Sequence, residues 1–136
     1  MATTRREIIE QFIPASPFAR HLGIRLEQLE EDRAVLVMPF TPELVTVGDV
    51  VHGGAVSTLA DTAVMAAAWA DDAVPEALAG ATVSLTVNFV AAARACDLKA
   101  EAHVVRRGRS LSFCGVTVTD PGGTVVATAM GTYRFG

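Results

Sequence analysis

The stretch VHGGAVSTLADTAVMAAAWA, residues 51–70, decides the fold, because it predicts one long helix over residues 53–70. Apolar side chains, mostly Ala, Leu, Val and Met, cover nearly the whole circumference of this helix instead of one stripe. A helix of that kind has to be enclosed by the rest of the chain. Asp61 is its one charged residue, and no Lys or Arg stands three or four positions away to pair with it.

Four segments after the helix are predicted to enclose it, because each has the alternating pattern of a strand. They span residues 81–92, 98–106, 111–119 and 124–135, with turns at residues 107–109 and 120–123. In the first segment, strict alternation places Val83, Leu85, Val87 and Phe89 on one face and Thr82, Ser84, Thr86 and Asn88 on the other.

Shorter elements are predicted ahead of the long helix. They are an amphipathic helix over residues 4–13 that Pro14 ends, a helical turn over 17–21, a hairpin of 23–29 and 34–40, and a loop over 42–51. The full order fits a single antiparallel sheet of about six strands wrapped around one long helix. We therefore predict an α+β fold in one domain that spans residues 1–136.

The composition indicates a protein that associates with copies of itself. Apolar residues make up 51% of the chain and charged residues only 19%, against about 25% charged residues in a typical soluble domain. The surplus apolar surface is expected to be buried between subunits, so we predict a homo-oligomer.

Charge and segment length argue against two classes of partner. The net charge of −4 disfavours a nucleic-acid binder, whose contact surface would be basic. No apolar run approaches the roughly 20 residues that cross a bilayer, and the N-terminus has no signal-peptide core. We therefore expect a cytoplasmic protein without membrane contact, in which Cys96 and Cys114 are reduced, packed thiols.

Gly53 and Gly54 stand where the long helix is predicted to begin, although glycine is a poor helix former. At a helix start, glycines let another molecule approach the free backbone N–H groups closely. These groups carry the positive end of the helix dipole and suit an oxyanion that develops during a reaction. A flexible entry to the helix is the alternative explanation.

The spacing of His52 and Asp61 adds a constraint. They are nine residues apart, which on a helix corresponds to about 13 Å of rise and half a turn. One helix cannot bring both side chains to the same small substrate. If they share a site, a second chain must supply one of them, and two-fold symmetry then creates two equivalent sites. The alternative for Asp61 is a structural role, exposed to solvent or hydrogen-bonded by Thr58 or a backbone amide.

A family resemblance follows from these residues. His52-Gly53-Gly54 with Asp61 after it, the strand over residues 83–89, the turn over 106–109 and the ending Gly131-Thr132-Tyr133 resemble the hotdog-fold thioesterases of the phenylacetate-pathway (PaaI-like) type. The resemblance covers nearly the whole chain. It implies hydrolysis of acyl-CoA without a metal or organic cofactor, in a dimer whose sheets join edge to edge and commonly pair again into a tetramer.

The resemblance also implies roles for single residues. Asp61 corresponds to the family's catalytic carboxylate, which acts as a base on water or as a nucleophile. Gly53 corresponds to the residue whose N–H polarises the thioester carbonyl, with His52 shaping that end of the site. Ser84 corresponds to a polar residue that assists the carboxylate and water. Thr46 is a departure, because the family often has Asn there to hold the attacking water, and Thr reaches less far.

Further residues are predicted to bind the substrate. Gly54 belongs to the glycine pair at the helix start. Arg106, Arg107 and Arg109 surround a glycine turn and are predicted to contact the phosphates of CoA. An ordinary charged hairpin tip is the alternative for the arginines.

Two other functions are alternatives to thioester hydrolysis. A hotdog dehydratase or hydratase would need a His and a carboxylate acting together on a β-hydroxyacyl group, and the sequence has no such local motif. A non-catalytic acyl-CoA-binding sensor on the same fold would have no need of Asp61. We therefore predict an acyl-CoA thioesterase.

Overall fold

The computed structural model describes residues 2–136. Its helices are α1 (Arg5–Ala15), α2 (Pro17–Leu22) and α3 (Gly53–Ala68). Its strands are β1 (Arg25–Glu30), β2 (Arg33–Met38), β3 (Val45–Val47), β4 (Val50–Val51), β5 (Gly80–Phe89), β6 (Leu98–Arg107), β7 (Leu111–Thr119) and β8 (Val125–Phe135). The predicted order of a short helix, two strands, a long helix and four strands is confirmed.

Six strands form one antiparallel sheet in the order β1-β2-β6-β7-β8-β5. The long helix α3 packs against the inner face of this sheet, with Ala63, Val64 and Ala67 completely buried. Gly131 on β8 permits the close approach, because a Cβ atom there would lie only 2.7 Å from Val64 Cγ2. The predicted α+β fold, a six-stranded sheet around one central helix, is confirmed.

Each end of α3 is fixed by a hydrogen bond, from a side chain at the start and within the backbone at the end. At the start, His52 is the N-cap, and its Nδ1 accepts a hydrogen bond from the Gly54 N–H at 2.7 Å. This bond satisfies one of the donors that every helix start leaves free. At the other end, α3 stops two residues short of the prediction, because the Ala70 N–H bonds to the Ala67 carbonyl and tightens the last turn.

The prediction that Pro14 ends the first helix is wrong. A capping box formed by Thr4 and Glu7 starts α1, which then continues through Pro14 to Ala15. The helix ends there because Ser16 precedes Pro17, and a residue before proline is pushed out of the helical region. Ser16 is accordingly extended, with φ −68° and ψ 119°.

The predicted loop over residues 42–51 is more ordered than expected. It contains a 3₁₀ helix (Pro42–Leu44) and a two-stranded ribbon of β3 and β4. The backbone N–H of Val51 bonds to the Ala93 carbonyl at 2.9 Å, and that of His52 bonds to the Leu44 carbonyl at 2.7 Å. These bonds hold the chain in place immediately before α3 begins.

Strand β5 departs from the predicted alternation at Val83. Thr82 and Ser84 pair with two adjacent residues of β8, so Val83 is the extra residue of a β-bulge. Thr82 therefore faces inward with Leu85, whereas Val83 is 51% exposed. The faces predicted for residues 82 and 83 are wrong for this reason.

β5 is also an edge strand of the sheet, beside β8 alone. Val83 and Phe89 are exposed along it, and an apolar edge strand of this length invites pairing with another strand.

Between residues 2 and 136, no helix has both the length and the apolar character needed to cross a membrane.

Candidate active site

Asp61 lies in the middle of α3 and lines a cavity of about 390 Å³, called here the Asp61 cavity. Met65 lies beside it on the same helix, and the other walls come from α1, α2, β5 and β8 and include Phe12, Phe18 and Tyr133. The carboxylate is partly buried and forms no ion pair within residues 2–136. A carboxylate in such surroundings is costly unless it is hydrogen-bonded.

Thr82 provides that hydrogen bond. Its hydroxyl donates to Asp61 Oδ1 at 2.7 Å, and the bulge at Val83 is what turns Thr82 toward the helix. The second carboxylate oxygen, Oδ2, has no hydrogen-bond partner in the described part of the chain. Asp61 is thus held through one oxygen and leaves the other available.

The predicted partner Ser84 does not reach Asp61 within one chain. It is exposed on β5 and does not line the Asp61 cavity. Sequence reasoning placed Thr82 and Ser84 on the same polar face and therefore missed Thr82. The one signal for Thr82 in the sequence was its polar side chain, which it shares with Ser84.

The start of α3 presents a free backbone donor. The N–H groups of Gly54, Ala55 and Val56 all bond to His52, through its ring nitrogen or its carbonyl oxygen. Within residues 2–136, the Gly53 N–H has no acceptor. Because His52 Nδ1 accepts a hydrogen bond, the proton of the neutral ring is on Nε2. His52 therefore caps the helix start, and its part in shaping the site stays a prediction.

The predicted site residues divide among three cavities of the single chain. Gly53 and Thr46 line one of about 360 Å³, whose walls are otherwise apolar. His52 and Gly54 line another of about 190 Å³. Asp61 lines neither of these, so one chain does not bring its carboxylate to its own Gly53.

Arg107 has a different role from the predicted one. Its guanidinium pairs with Asp32 at 2.7 Å and with Asp71 at 3.3 Å. It also donates to the carbonyl oxygens of Ala68, at 2.9 Å, and Ala67, at 3.4 Å, at the end of α3. With its donors used inside the fold, Arg107 is a cap for the helix, and the structure does not support it as a phosphate ligand.

Arg106 and Arg109 remain compatible with the prediction. Both side chains are exposed, and neither forms an ion pair with any other residue between 2 and 136. They lie beside the C-terminal end of α3, since their neighbour Arg107 caps that end.

Tyr133 is a second polar group in the Asp61 cavity. Its side chain is buried, and its hydroxyl oxygen accepts a hydrogen bond from Trp69 Nε1 at 2.8 Å. Burial raises the pKa of the Tyr133 hydroxyl, the Trp69 hydrogen bond opposes this, and the Asp61 carboxylate adds to the rise. The residue therefore stays protonated at neutral pH. Its place in the cavity was not predicted.

Comparison with known proteins identifies the family. The sequence profile described as "Thioesterase superfamily" matches residues 48–127, which include Gly53, Asp61 and Thr82. The match covers more than half of the chain. The chain belongs to the thioesterase superfamily.

Individual relatives agree with this assignment. Human acyl-coenzyme A thioesterase 13 is 27% identical over 140 residues, covering 100% of this chain and 97% of that protein. A thioesterase family protein from Silicibacter pomeroyi has a TM-score of 0.88 at 28% identity, covering 97% of this chain and 99% of the other. The E. coli PaaI protein from the phenylacetic acid degradation operon has a TM-score of 0.80 at 24% identity, covering 96% and 95%. The last similarity concerns the fold alone, and it agrees with the predicted hotdog architecture.

Proposed function

We propose that the chain is an acyl-CoA thioesterase, which hydrolyses the thioester of an acyl- or aryl-acyl-CoA to the free acid and CoA. The observation that carries the proposal is Asp61, a carboxylate in a cavity that no Lys, Arg or His of residues 2–136 lines, oriented by Thr82 and open at Oδ2. A carboxylate of this kind suits a general base or a nucleophile. Membership of a family of thioesterases makes a thioester the appropriate substrate.

The proposed reaction uses two groups, the Asp61 carboxylate and the Gly53 N–H. As a base, Asp61 takes a proton from water while the water oxygen attacks the thioester carbonyl carbon. The carbonyl oxygen becomes an oxyanion and accepts a hydrogen bond from the Gly53 N–H at a helix start. The C–S bond then breaks, the proton passes to sulfur, and the acid and CoA leave.

As a nucleophile, Asp61 would instead attack the carbonyl carbon itself and form a mixed anhydride, which water then hydrolyses. A single turnover in ¹⁸O-labelled water identifies the second route when the label enters Asp61, whereas label in the acid alone is compatible with either route. Water attack on the substrate puts the label into the released acid in the first turnover. Water attack on the aspartyl carbonyl of the anhydride puts the label into Asp61.

The proposed site needs two chains. Asp61 and Gly53 of one chain line different cavities, and about 12 Å of helix separates them. The free edge of β5 offers a surface on which a second sheet can pair. A dimer formed through this edge, with the Gly53 N–H of one chain near Asp61 of the other, would make two equivalent sites. We also propose that such dimers pair into a tetramer.

The test is an assay of thiol release from a panel of acyl-CoA thioesters. Asp61→Asn is nearly isosteric but cannot take up a proton or attack a carbonyl, so we expect turnover to fall at least about a hundredfold. Thermal unfolding of the variant is the control for an intact fold. Absence of hydrolysis by the wild type across the whole panel would overturn the proposal.

A further inference from the structure

The face of α3 that carries Asp61 continues toward a second cavity. Asp61, Met65 and Trp69 are spaced four residues apart, so they lie along one side of the helix over about 12 Å. The second cavity, of about 290 Å³ and called here the distal cavity, lies along the Met65 and Trp69 part of this side. Phe12, Met65, Gly80 and Tyr133 line both cavities. The two cavities are therefore neighbours along the same helix face.

The distal cavity is apolar and uncharged. Its walls include Ile8, Ile9 and Phe12 from α1, and Leu78 from the segment before β5. No Asp, Glu, Lys, Arg or His within the described chain lines it. An apolar group gains free energy by entering such a space, whereas a charged group would lose its hydration without finding a partner.

The Tyr133 side chain lines both cavities and carries a polar hydroxyl hydrogen. Tyr133 uses its hydroxyl oxygen to accept the Trp69 hydrogen bond. Its hydroxyl hydrogen has no acceptor in residues 2–136, although the residue is only 4% exposed. Buried hydroxyl groups normally have their hydrogen-bonding capacity used. A donor without an acceptor in the described residues, on a side chain that lines both cavities, is suited to an acceptor that a ligand brings.

Gly80 provides the space next to this hydroxyl. A Cβ atom at residue 80 would lie 2.4 Å from the Tyr133 oxygen, closer than any real contact. Any other residue at this position would displace the ring from its place between the two cavities.

We propose that the distal cavity binds the acyl group of the substrate, and that Tyr133 selects uncharged acyl groups carrying an oxygen acceptor, such as an alkoxy or keto oxygen. This inference rests on the proposed function, because it takes the thioester to lie at Asp61. With the carbonyl at Asp61, the acyl group extends along Met65, and its oxygen accepts the Tyr133 hydrogen bond. Acyl groups that end in a carboxylate are excluded, because no cation among residues 2–136 lines the distal cavity to receive them.

The first test compares phenylacetyl-CoA with its three monomethoxy isomers, because these differ only by an acceptor on the ring. The measured quantity is the ratio of kcat/KM between each isomer and the unsubstituted thioester. For the best isomer, Tyr133→Phe is expected to lower this ratio about three- to tenfold, as loss of one neutral hydrogen bond does. An unchanged ratio for all three isomers would overturn the role of Tyr133.

The second test measures binding without catalysis. Trp69 is the one tryptophan of the chain and lines the distal cavity, so its fluorescence reports occupancy. Titration with phenylacetamide and its methoxy isomers, neutral analogues of the acyl group, is expected to change the emission, and the best methoxy isomer is expected to bind more tightly. Such binding in a protein that hydrolyses no acyl-CoA would refute the proposed function and support the cavity. Hydrolysis with no change of emission by any analogue would refute the cavity instead.

A second variant covers the case in which Tyr133→Phe loses stability, since Trp69 Nε1 then lacks its acceptor. Met65→Phe puts a larger ring between the two cavities. It is expected to lower kcat/KM for phenylacetyl-CoA at least tenfold relative to the shortest acyl-CoA that the wild type hydrolyses. An equal effect on both substrates would contradict passage of the acyl group along Met65.

Discussion

Thr82 donates to Asp61 Oδ1 at 2.7 Å, and within residues 2–136 no cation competes for that carboxylate. A hydrogen bond to a charged group contributes about 1.5–3 kcal/mol. We expect Thr82→Val, which keeps the shape and removes the hydroxyl, to lower kcat about tenfold. Thr82→Ser keeps the donor and should restore most of the rate. Equal kcat for the two variants, or a change confined to KM, would contradict a positioning role.

The arginines near the β6–β7 turn separate by their contacts. Arg107→Met removes the donors to Asp32 and Ala68 and should lower the free energy of unfolding by about 1–3 kcal/mol. Arg109→Glu leaves these contacts intact and should raise KM for CoA thioesters, with little effect on a thioester that lacks the nucleotide. Urea denaturation and steady-state kinetics measure the two effects. If Arg109→Glu lowered the free energy of unfolding as much as Arg107→Met does, the two arginines would not have separate roles.

At this scale the sequence singled out Asp61 and Gly53 as candidate site residues but did not single out Thr82. Asp61 was recognisable because it is the one charge in an apolar helix. Thr82 could not be found, because one extra residue in β5 reverses the face on which it lies. The roles proposed for Arg106 and Arg107 could not be separated either, since adjacent arginines differ here only in what the folded chain brings near them.

At the scale of elements, the first residue of α3 allows an unusually clean substitution. His52 has φ −60° and ψ 134°, a conformation that a following proline favours, and proline is well tolerated at the first helical position. Gly53→Pro therefore removes the free N–H while keeping the helix. We expect kcat to fall about a hundred- to a thousandfold, as for loss of one oxyanion donor.

Gly53→Ala is the matched control for that variant. It adds a Cβ atom 3.3 Å from the Phe89 ring but keeps the N–H. Circular dichroism should show equal helix content in both variants. A loss of turnover in Gly53→Ala as large as in Gly53→Pro would mean that crowding against Phe89, and not the N–H, explains the effect.

The elements also show where patterns in the sequence lose information. The long helix and the four later strands were predictable, because long apolar and alternating segments leave few choices. The end of α1 was misassigned because Pro14 and Pro17 are both in range, and the conformation of Ser16 decides between them. The ribbon of β3 and β4 was missed because strands of two or three residues have no measurable period.

At the scale of the whole molecule, mixing two inactive variants tests whether the site is shared between chains. Asp61→Asn and Gly53→Pro chains are unfolded together, mixed in equal amounts and refolded. In a mixed dimer, one site combines the intact Asp61 of one chain with the intact Gly53 of the other. Random pairing should then restore about a quarter of the wild-type activity. Refolding of each variant alone is the control, and absence of any gain on mixing would place the site within one chain.

The overall architecture followed from the sequence, because an apolar helix has to be enclosed and the four alternating segments after it predict a sheet that covers it. The separation of His52 and Asp61 between different cavities was foreseen from helix geometry, since nine residues along one helix correspond to about 13 Å of rise and half a turn. The distal cavity was not foreseen. Its walls come from α1, α3, β8 and the segment that precedes β5. No single stretch of sequence contains all of them.

The contact between Gly131 and Val64 has a consequence for experiments that score variants by activity alone. The distance between α3 and the sheet depends on Gly131, which has a hydrogen atom where every other residue has a Cβ atom. Asp61 is part of α3, so its position depends on the same distance. A methyl group at residue 131 would lift the carboxylate away from Thr82 without touching any reactant. In a saturation-mutagenesis screen, substitutions of Gly131 should lower activity as much as substitutions of the reacting groups. A parallel measurement of folding is needed to distinguish a structural residue from a catalytic one.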